Sequence, residues 1–257
     1  MRERGAHNQL MEYLTSKGHL STKQSGNKEK HSAEISVIQT TEMILSVIDE
    51  KHLTAVILLD MSNAFDSIDH NLLLVKLQEV GALPLALQWF RSYLTACYQV
   101  VTIGTAPWEH LQVASGVPQG SILGPLLFSI YMNDLPLVLQ HCSVQCYVDD
   151  NTLLLSFRLQ DQSCIVAEIN QDLIRIRNWC FDNQLLLNPD KTKFLVCGSK
   201  LGVTKTRNFK LLFLGKQLAP VEAARDLGVI LDTSLTFDDH VTATVASCVA
   251  TRPDKLC

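Results

Sequence analysis

At 257 residues the chain is long enough for one large domain or for one domain with parts of its neighbours, and a hydrophobic fraction of 47% suits a packed core and argues against disorder. No apolar run approaches the roughly 18 residues of a membrane helix, and the polar start Met1–Gln9 carries no secretory signal, so an intracellular protein is expected, nuclear or cytoplasmic. The net charge of −4 counts mildly against a nucleic-acid binder, yet the stretch from Lys191 to Lys216 holds seven basic residues and no acidic one, either a solvated face or a phosphate-contacting strip.

The polar, Lys-rich stretch from Ser21 to Ser32 reads as a loop. A helix follows with Val37, Thr41, Ile44 and Ile48 on one face. Thr54–Leu59 is a short apolar, β-branched run that fits a buried strand, and it ends in Asp60. Asp69 can cap a helix that aligns Leu73, Leu77 and Val80 and ends at Gly81. Pro84 opens another, with Leu87, Phe90 and Leu94 in line. Tyr98–Ile103 is strand-like and Thr105–Trp108 resembles a turn. The loop Ser115–Gly120 feeds a helix bearing Leu123, Leu127 and Ile130, where Pro125 is tolerated in the first turn.

Val144–Phe157 reads as strand, turn, strand, with Asp149-Asp150 at the turn. A long helix then aligns Ile165, Ile169, Ile176 and Cys180, and short strand-like pieces alternate with turns as far as Asp232. Strands and helices mix without a βαβ rhythm, which predicts an α+β fold with a largely antiparallel sheet. Eight cysteines show no CxxC spacing. His141, Cys142 and Cys146 lie close together but fall short of the about four ligands of a zinc site, so small buried residues in a reduced compartment are expected.

The carboxylates point to chemistry. Asp60 ends an apolar strand, and Asp149-Asp150 tips a hairpin with apolar flanks, where an acid is costly unless something neutralises it. Should the two tips lie side by side, three acids converge. Oxygen ligands of that kind suit Mg²⁺, and two ions about 3.5–4 Å apart can drive phosphoryl transfer. Taken singly, Asp149-Asp150 is also an ordinary turn dipeptide and Asp60 an ordinary strand end.

The spacing carries more. Leu58-Leu-Asp-Met-Ser-Asn-Ala-Phe-Asp-Ser-Ile-Asp-His70 resembles motif A of the reverse transcriptases of non-LTR (LINE-class) retrotransposons. Ser115–Pro136, containing Ser-Gly-Val-Pro-Gln-Gly and Tyr-Met-Asn-Asp-Leu-Pro, is similar to motif B almost throughout. Tyr147-Val-Asp-Asp150 resembles the Y-x-D-D box, motif C. Leu187–Lys193 resembles motif D, and Leu227–Asp232 resembles motif E. Five motifs occur in the family's order, whereas one Y-x-D-D alone would be weak.

This resemblance implies a right-hand polymerase palm over residues 33–232, a partial fingers segment over 1–32 and the truncated start of a thumb over 233–257. It implies RNA-directed DNA polymerase activity: two-metal nucleotidyl transfer from deoxynucleoside triphosphates to a DNA primer 3′-hydroxyl on an RNA template, with two Mg²⁺ ions as cofactor. Asp60, Asp149 and Asp150 would be the metal ligands. Phe65 would be the wall under the sugar that rejects a ribose 2′-hydroxyl, and it is also a plausible core aromatic. Gln119 and Gly120 would sit near the nucleotide and template base, Gln119 supplying donor and acceptor and Gly120 allowing close backbone approach. Tyr147 and Val148 would lie beside the incoming sugar. Lys191 would be a candidate proton donor to pyrophosphate, or simply a surface lysine. Leu227–Ile230 would form the primer grip.

The chain departs from the pattern in places. Val148 stands where alanine is most common, and Lys193 where glutamate is. Gln24–Ser32 matches the family's Q-x-G-F-R-x-G-H-S only partly, lacking the aromatic, the arginine and the second glycine. The finger motifs that supply Arg and Lys to the triphosphate would lie upstream of the first residue, and most of the thumb beyond the last. The alternative reading is therefore a retrotransposon-derived fragment that binds nucleic acid at most and catalyses nothing.

Overall fold

Amphipathic helices and mostly short strands build the fold, and a computed structural model of the chain describes residues 2–26, 32–95, 98–100, 102–104, 106–107, 109, 111–118, 120–206 and 208–250. In chain order, α1 (Arg2–Lys17) and α2 (Ala33–Ile48) precede β1 (Leu53–Leu59), β2 (Met61–Ser62), α3 (His70–Glu79) and α4 (Pro84–Thr95). Four two-residue strands follow: β3 (Tyr98–Gln99), β4 (Thr102–Ile103), β5 (Ala106–Pro107) and β6 (Leu111–Gln112). Then come α5 (Gly124–Tyr131), β7 (Ser143–Tyr147), β8 (Asp150–Phe157) and the long α6 (Gln162–Asp182). The last part holds β9 (Leu186–Leu187), β10 (Lys193–Cys197), α7 (Lys200–Lys205), β11 (Leu211–Phe213), β12 (Lys216–Leu218), β13 (Ala223–Asp226), β14 (Val229–Asp232) and α8 (Asp238–Ala250).

The principal sheet runs β10-β1-β8-β7, antiparallel at every step. The fold is mixed α+β with antiparallel sheets, as the sequence predicts. Period-2 alternation divides the core. Leu53, Ala55, Ile57 and Leu59 of β1 face a large cluster that includes residues of α1, α3, α4, α5 and α6. Val56 faces a second cluster with Val37 and Ile44 of α2 and with Ala224 and Leu231 of the β13–β14 hairpin. Both faces of β1 are thus covered, which is why its sequence is a continuous apolar run. Each fully buried aliphatic side chain there contributes roughly 1.5–3 kcal/mol.

Local signals set the helix ends. The Asp69 carboxylate accepts a hydrogen bond from Leu72 N–H at 2.8 Å and caps α3. At its other end Gly81 adopts φ +90°, and the Gly81 and Ala82 N–H groups donate to the Gln78 and Leu77 carbonyls. The predicted strand Tyr98–Ile103 is instead split. β3 pairs with β6 and β4 with β5, in two short steps of which β3, β4 and β6 are exposed. Ala106–Pro107 pairs back onto β4, so the reversal comes earlier than the expected Thr105–Trp108 turn, whose end residues lie outside the described ones.

Buried polar side chains tie these elements together. Lys76 Nζ, inside the core, donates to the Tyr131 carbonyl at 2.7 Å and to Asp134 Oδ1 at 2.6 Å, and Trp179 Nε1 donates to Asp134 Oδ2 at 3.1 Å. Asp172, fully buried on α6, accepts from the N–H groups of Gln140, His141 and Cys142 at the entry to β7. Cys142, Cys146, Cys180 and Cys197 are free and buried, and burial pushes the Cys146 thiol up to about 12, so these residues are packing atoms.

Candidate active site

Asp60 immediately follows β1, and motif D clasps its backbone. The Asp60 carbonyl accepts from Asn188 N–H at 3.0 Å, and its N–H donates to Thr192 Oγ1 at 3.4 Å. Asn188 suits this position because its side-chain oxygen also accepts from the N–H groups of Asp190 and Lys191, closing an Asx turn. The short pair β2–β9 continues the clasp through Met61–Leu187 and Ser62–Leu186. Lys191 is exposed on that turn, and Lys216 pairs with Asp190 at 2.6 Å.

Tyr147–Asp150 forms the tip of the β7–β8 hairpin. Tyr147 pairs with Asp150, so the turn proper is Val148-Asp149 and Asp150 opens β8, one residue earlier than the expected Asp149-Asp150 turn. Val148 has φ +58°, a left-handed conformation that is a real strain for a β-branched residue. Asn151 Nδ2 donates to the Asp149 carbonyl at 2.8 Å and steadies the tip. The β1–β8 register ends at Leu59–Asn151, and the next antiparallel step carries Asp60 and Asp150.

The electrostatics agree with that proximity. Burial, then the charges of Asp149 and Asp60, push the Asp150 carboxyl above the usual range. Asp60 Oδ2 is buried without a hydrogen-bond partner among the described residues. An all-carboxylate donor set with an unpaired buried oxygen and mutual repulsion fits a hard divalent cation. Among the described residues no three His, Cys, Asp or Glu side chains are gathered closely enough to hold a metal.

A further acid enters the site. Asp226, at the end of β13, is buried; burial and then the charge of Asp150 push it up to about 6, while a hydrogen bond from Thr152 Oγ1 at 3.5 Å opposes the shift. The Leu227–Asp232 resemblance begins one residue after it and does not include it. Its parity with buried Ala224 in a two-residue alternation was the available signal.

Motif B docks on the turn after motif A. Gly116 N–H donates to the Ile68 carbonyl at 2.8 Å, Val117 N–H to the Phe65 carbonyl at 3.1 Å, and Ser115 Oγ to the Asp66 carbonyl at 3.0 Å. His70 Nε2 donates to the Gly116 carbonyl at 2.7 Å, which sets the imidazole tautomer. Gly116 has φ +84°, and a Cβ there would stand 2.8 Å from Asp66 Cα. Phe65 stacks on buried Phe128 with ring centroids 4.3 Å apart, so one face of its ring belongs to the core. Gly120 is exposed at φ +81°, whereas Gln119 lies outside the described residues. No described helix is long and apolar enough to cross a membrane.

The profile of the family described as reverse transcriptase (RNA-dependent DNA polymerase) matches residues 4–222. The chain is 29% identical over 263 residues to the "Probable RNA-directed DNA polymerase from transposon BS" of Drosophila melanogaster, covering 96% of this chain and 27% of that protein. It is 29% identical over 224 residues to the corresponding X-element protein of the same species, covering 85% and 24%. With the RNA-directed DNA polymerase from mobile element jockey of Drosophila funebris it shares 26% over 231 residues, covering 86% and 24%. The chain therefore spans about a quarter of the length of these relatives. Its fold is similar to telomerase from Candida albicans solved with a fragment of telomeric RNA, with a TM-score of 0.60 at 14% identity, covering 90% of this chain and 38% of that one. Sequence match and fold agree, and the chain belongs to the reverse transcriptase family, as a domain related to the polymerases of non-LTR retrotransposons.

Proposed function

We propose that this domain is an RNA-directed DNA polymerase that extends a DNA primer 3′-hydroxyl with deoxynucleoside triphosphates on an RNA template. The observation that carries the reading is the β1–β8 register, whose next step sets Asp60 beside Asp150 at the tip bearing Asp149. Residues 33–232 would serve as palm, 1–32 as partial fingers and 233–257 as the start of the thumb.

Asp60, Asp149 and Asp150 would hold two Mg²⁺ ions, which when bound supply activation of the attacking hydroxyl and stabilisation of the leaving oxygen. Phe65, backed by Phe128, would present a fixed wall to the sugar and exclude a 2′-hydroxyl. Tyr147 and Val148 would line the sugar's other side, and Gln119 with Gly120 would meet the nucleotide and template base. The exposed Lys191 Nζ would donate a proton to the leaving pyrophosphate. The basic run Lys191–Lys216 would contact the phosphates of the primer–template duplex.

Primer extension on poly(rA)/oligo(dT) with Mg²⁺ tests the proposal, with Asp149→Asn and Asp150→Asn as paired variants whose fold is checked by circular dichroism. The unsubstituted protein should extend the primer, and each variant should lose at least about 100-fold in rate. Extension that survives both substitutions, or none from the folded parent at any salt concentration, would overturn it.

A further inference from the structure

The segment between α1 and α2 runs beside the motif C hairpin. Ser21 N–H donates to Asn133 Oδ1 at 2.7 Å, and Asn133 Nδ2 donates to the His19 carbonyl at 2.8 Å, which fixes the segment to the end of α5. Farther along, Cys146 N–H donates to the Lys23 carbonyl at 2.9 Å and Ser25 N–H to the Cys146 carbonyl at 2.8 Å, so Gln24 forms a parallel bridge to β7. Gln24 is only 2% exposed. Its Oε1 accepts from Val148 N–H at 3.1 Å and from Gly26 N–H at 3.0 Å. Both neighbours are obligate donors, so the amide oxygen, not the nitrogen, must face them. Nε2 is buried with no hydrogen-bond partner among the described residues.

A two-residue hairpin turn has no backbone acceptor of its own for the first turn N–H, and Val148 occupies that position. Its left-handed backbone is one that favours glycine, so the surroundings have to over-determine it. Gln24 supplies the missing acceptor, and Gly26 closes the other side. A Cβ on Gly26 would stand 2.6 Å from both Val148 N and Val148 Cγ2, so only glycine fits there. We infer that Gln24 is a positioning residue: it holds Val148 in its strained conformation and thereby sets the course of the turn that bears Asp149 and of the strand that Asp150 opens. The consequence for nucleotide placement rests on the polymerase reading; the brace itself does not.

Two measurements separate these layers. Gln24→Met keeps the side-chain volume and removes the acceptor, whereas Gln24→Glu retains it. Hydrogen–deuterium exchange followed on the whole chain should show the Val148 amide exchanging about tenfold faster or more in Gln24→Met, with β10 unchanged and Gln24→Glu protected like the parent. In primer extension Gln24→Met should raise the KM for deoxynucleotide about tenfold with a smaller change in kcat, and Val148→Gly, which removes the strain, should shrink that effect. Should Gln24→Met fail to fold, exchange in Gln24→Glu and the melting temperature of Gly26→Ala, expected to fall, decide the matter. Unchanged Val148 exchange in Gln24→Met, lost protection in Gln24→Glu or a Gly26→Ala protein as stable as the parent overturns the brace. Faster exchange with unaltered KM overturns its role in nucleotide placement. A parent that extends no primer refutes the polymerase reading and leaves the exchange measurement to decide the brace.

Discussion

The buried carboxyl of Asp226 faces Asp150 from a neighbouring hairpin, and burial together with that charge pushes its pKa up to about 6 from an ordinary 3.8. Between those values the folded state binds more protons than the unfolded one, so stability falls as pH rises from about 4 to about 6 and stays reduced above. Asp226→Asn keeps an oxygen for Thr152 and removes the charge. In EDTA at pH 8 the variant should be more stable than the parent by roughly 1–3 kcal/mol, the difference shrinking towards pH 4. Thermal melts across that range check this, and a difference independent of pH would show that the Asp226 pKa is not raised in the folded state.

Gly116 joins motif B to motif A at a point where no side chain fits. Its φ is +84°, and an added Cβ would meet Asp66 Cα at 2.8 Å and the Asp66 and Phe65 carbonyl oxygens at 3.0 Å. All three are backbone atoms that cannot swing away. Gly116→Ala should therefore cost roughly 2 kcal/mol, seen as a fall in melting temperature of about 4–8 °C. A melting temperature within a degree of the parent's would mean that the loop is free to move off the turn.

What the sequence discloses is what is local or ordered along the chain. The run ending at Asp60, the Asp69 cap and the Gly81 stop are each set by a few consecutive residues, and the structure has them where the pattern predicts. The adjacency of Asp60 and Asp150 is legible only through the order of the motifs, since no local rule pairs β1 with β8. Interactions between distant residues stay hidden. Asp172 with the N–H groups of residues 140–142, Gln24 with Val148 and Asp226 with Asp150 all depend on tertiary placement. The split of Tyr98–Ile103 has the same origin, because pairing partners at both ends, not β-propensity, decide where those strands stop.

Burial pushes the Asp172 carboxyl up, but the N–H groups of Cys142, Gln140 and His141 and the Arg175 guanidinium outweigh it and hold it below the usual range. A lowered pKa contributes stability that is present above about 3.8 and lost as pH falls through the folded value. Asp172→Asn turns an NH₂ group towards two buried N–H donors. The cost should be about 3 kcal/mol at pH 7 by denaturant unfolding, closing only below about pH 3.8. An equal cost at pH 7 and pH 3 would mean that the carboxylate charge is not what the site uses.

Phe65 packs against the core and, on the proposed reading, gates the sugar, and one substitution can separate the two. Its ring stacks at 14° on Phe128, which is fully buried, so one face of the ring is backed by core atoms. Phe65→Val removes the ring and leaves Asp60, Asp149 and Asp150 in place. Loss of the stacked pair should lower stability by about 1–3 kcal/mol, a packing effect expected whatever the function. If the ring also gates the sugar, the preference for dGTP over rGTP should fall by about tenfold or more, while dGTP incorporation falls less. Single-nucleotide extension with each triphosphate measures the ratio, and kcat/KM for dGTP alone separates gating from general damage. A ratio unchanged in a folded, active variant would leave Phe65 as core packing only.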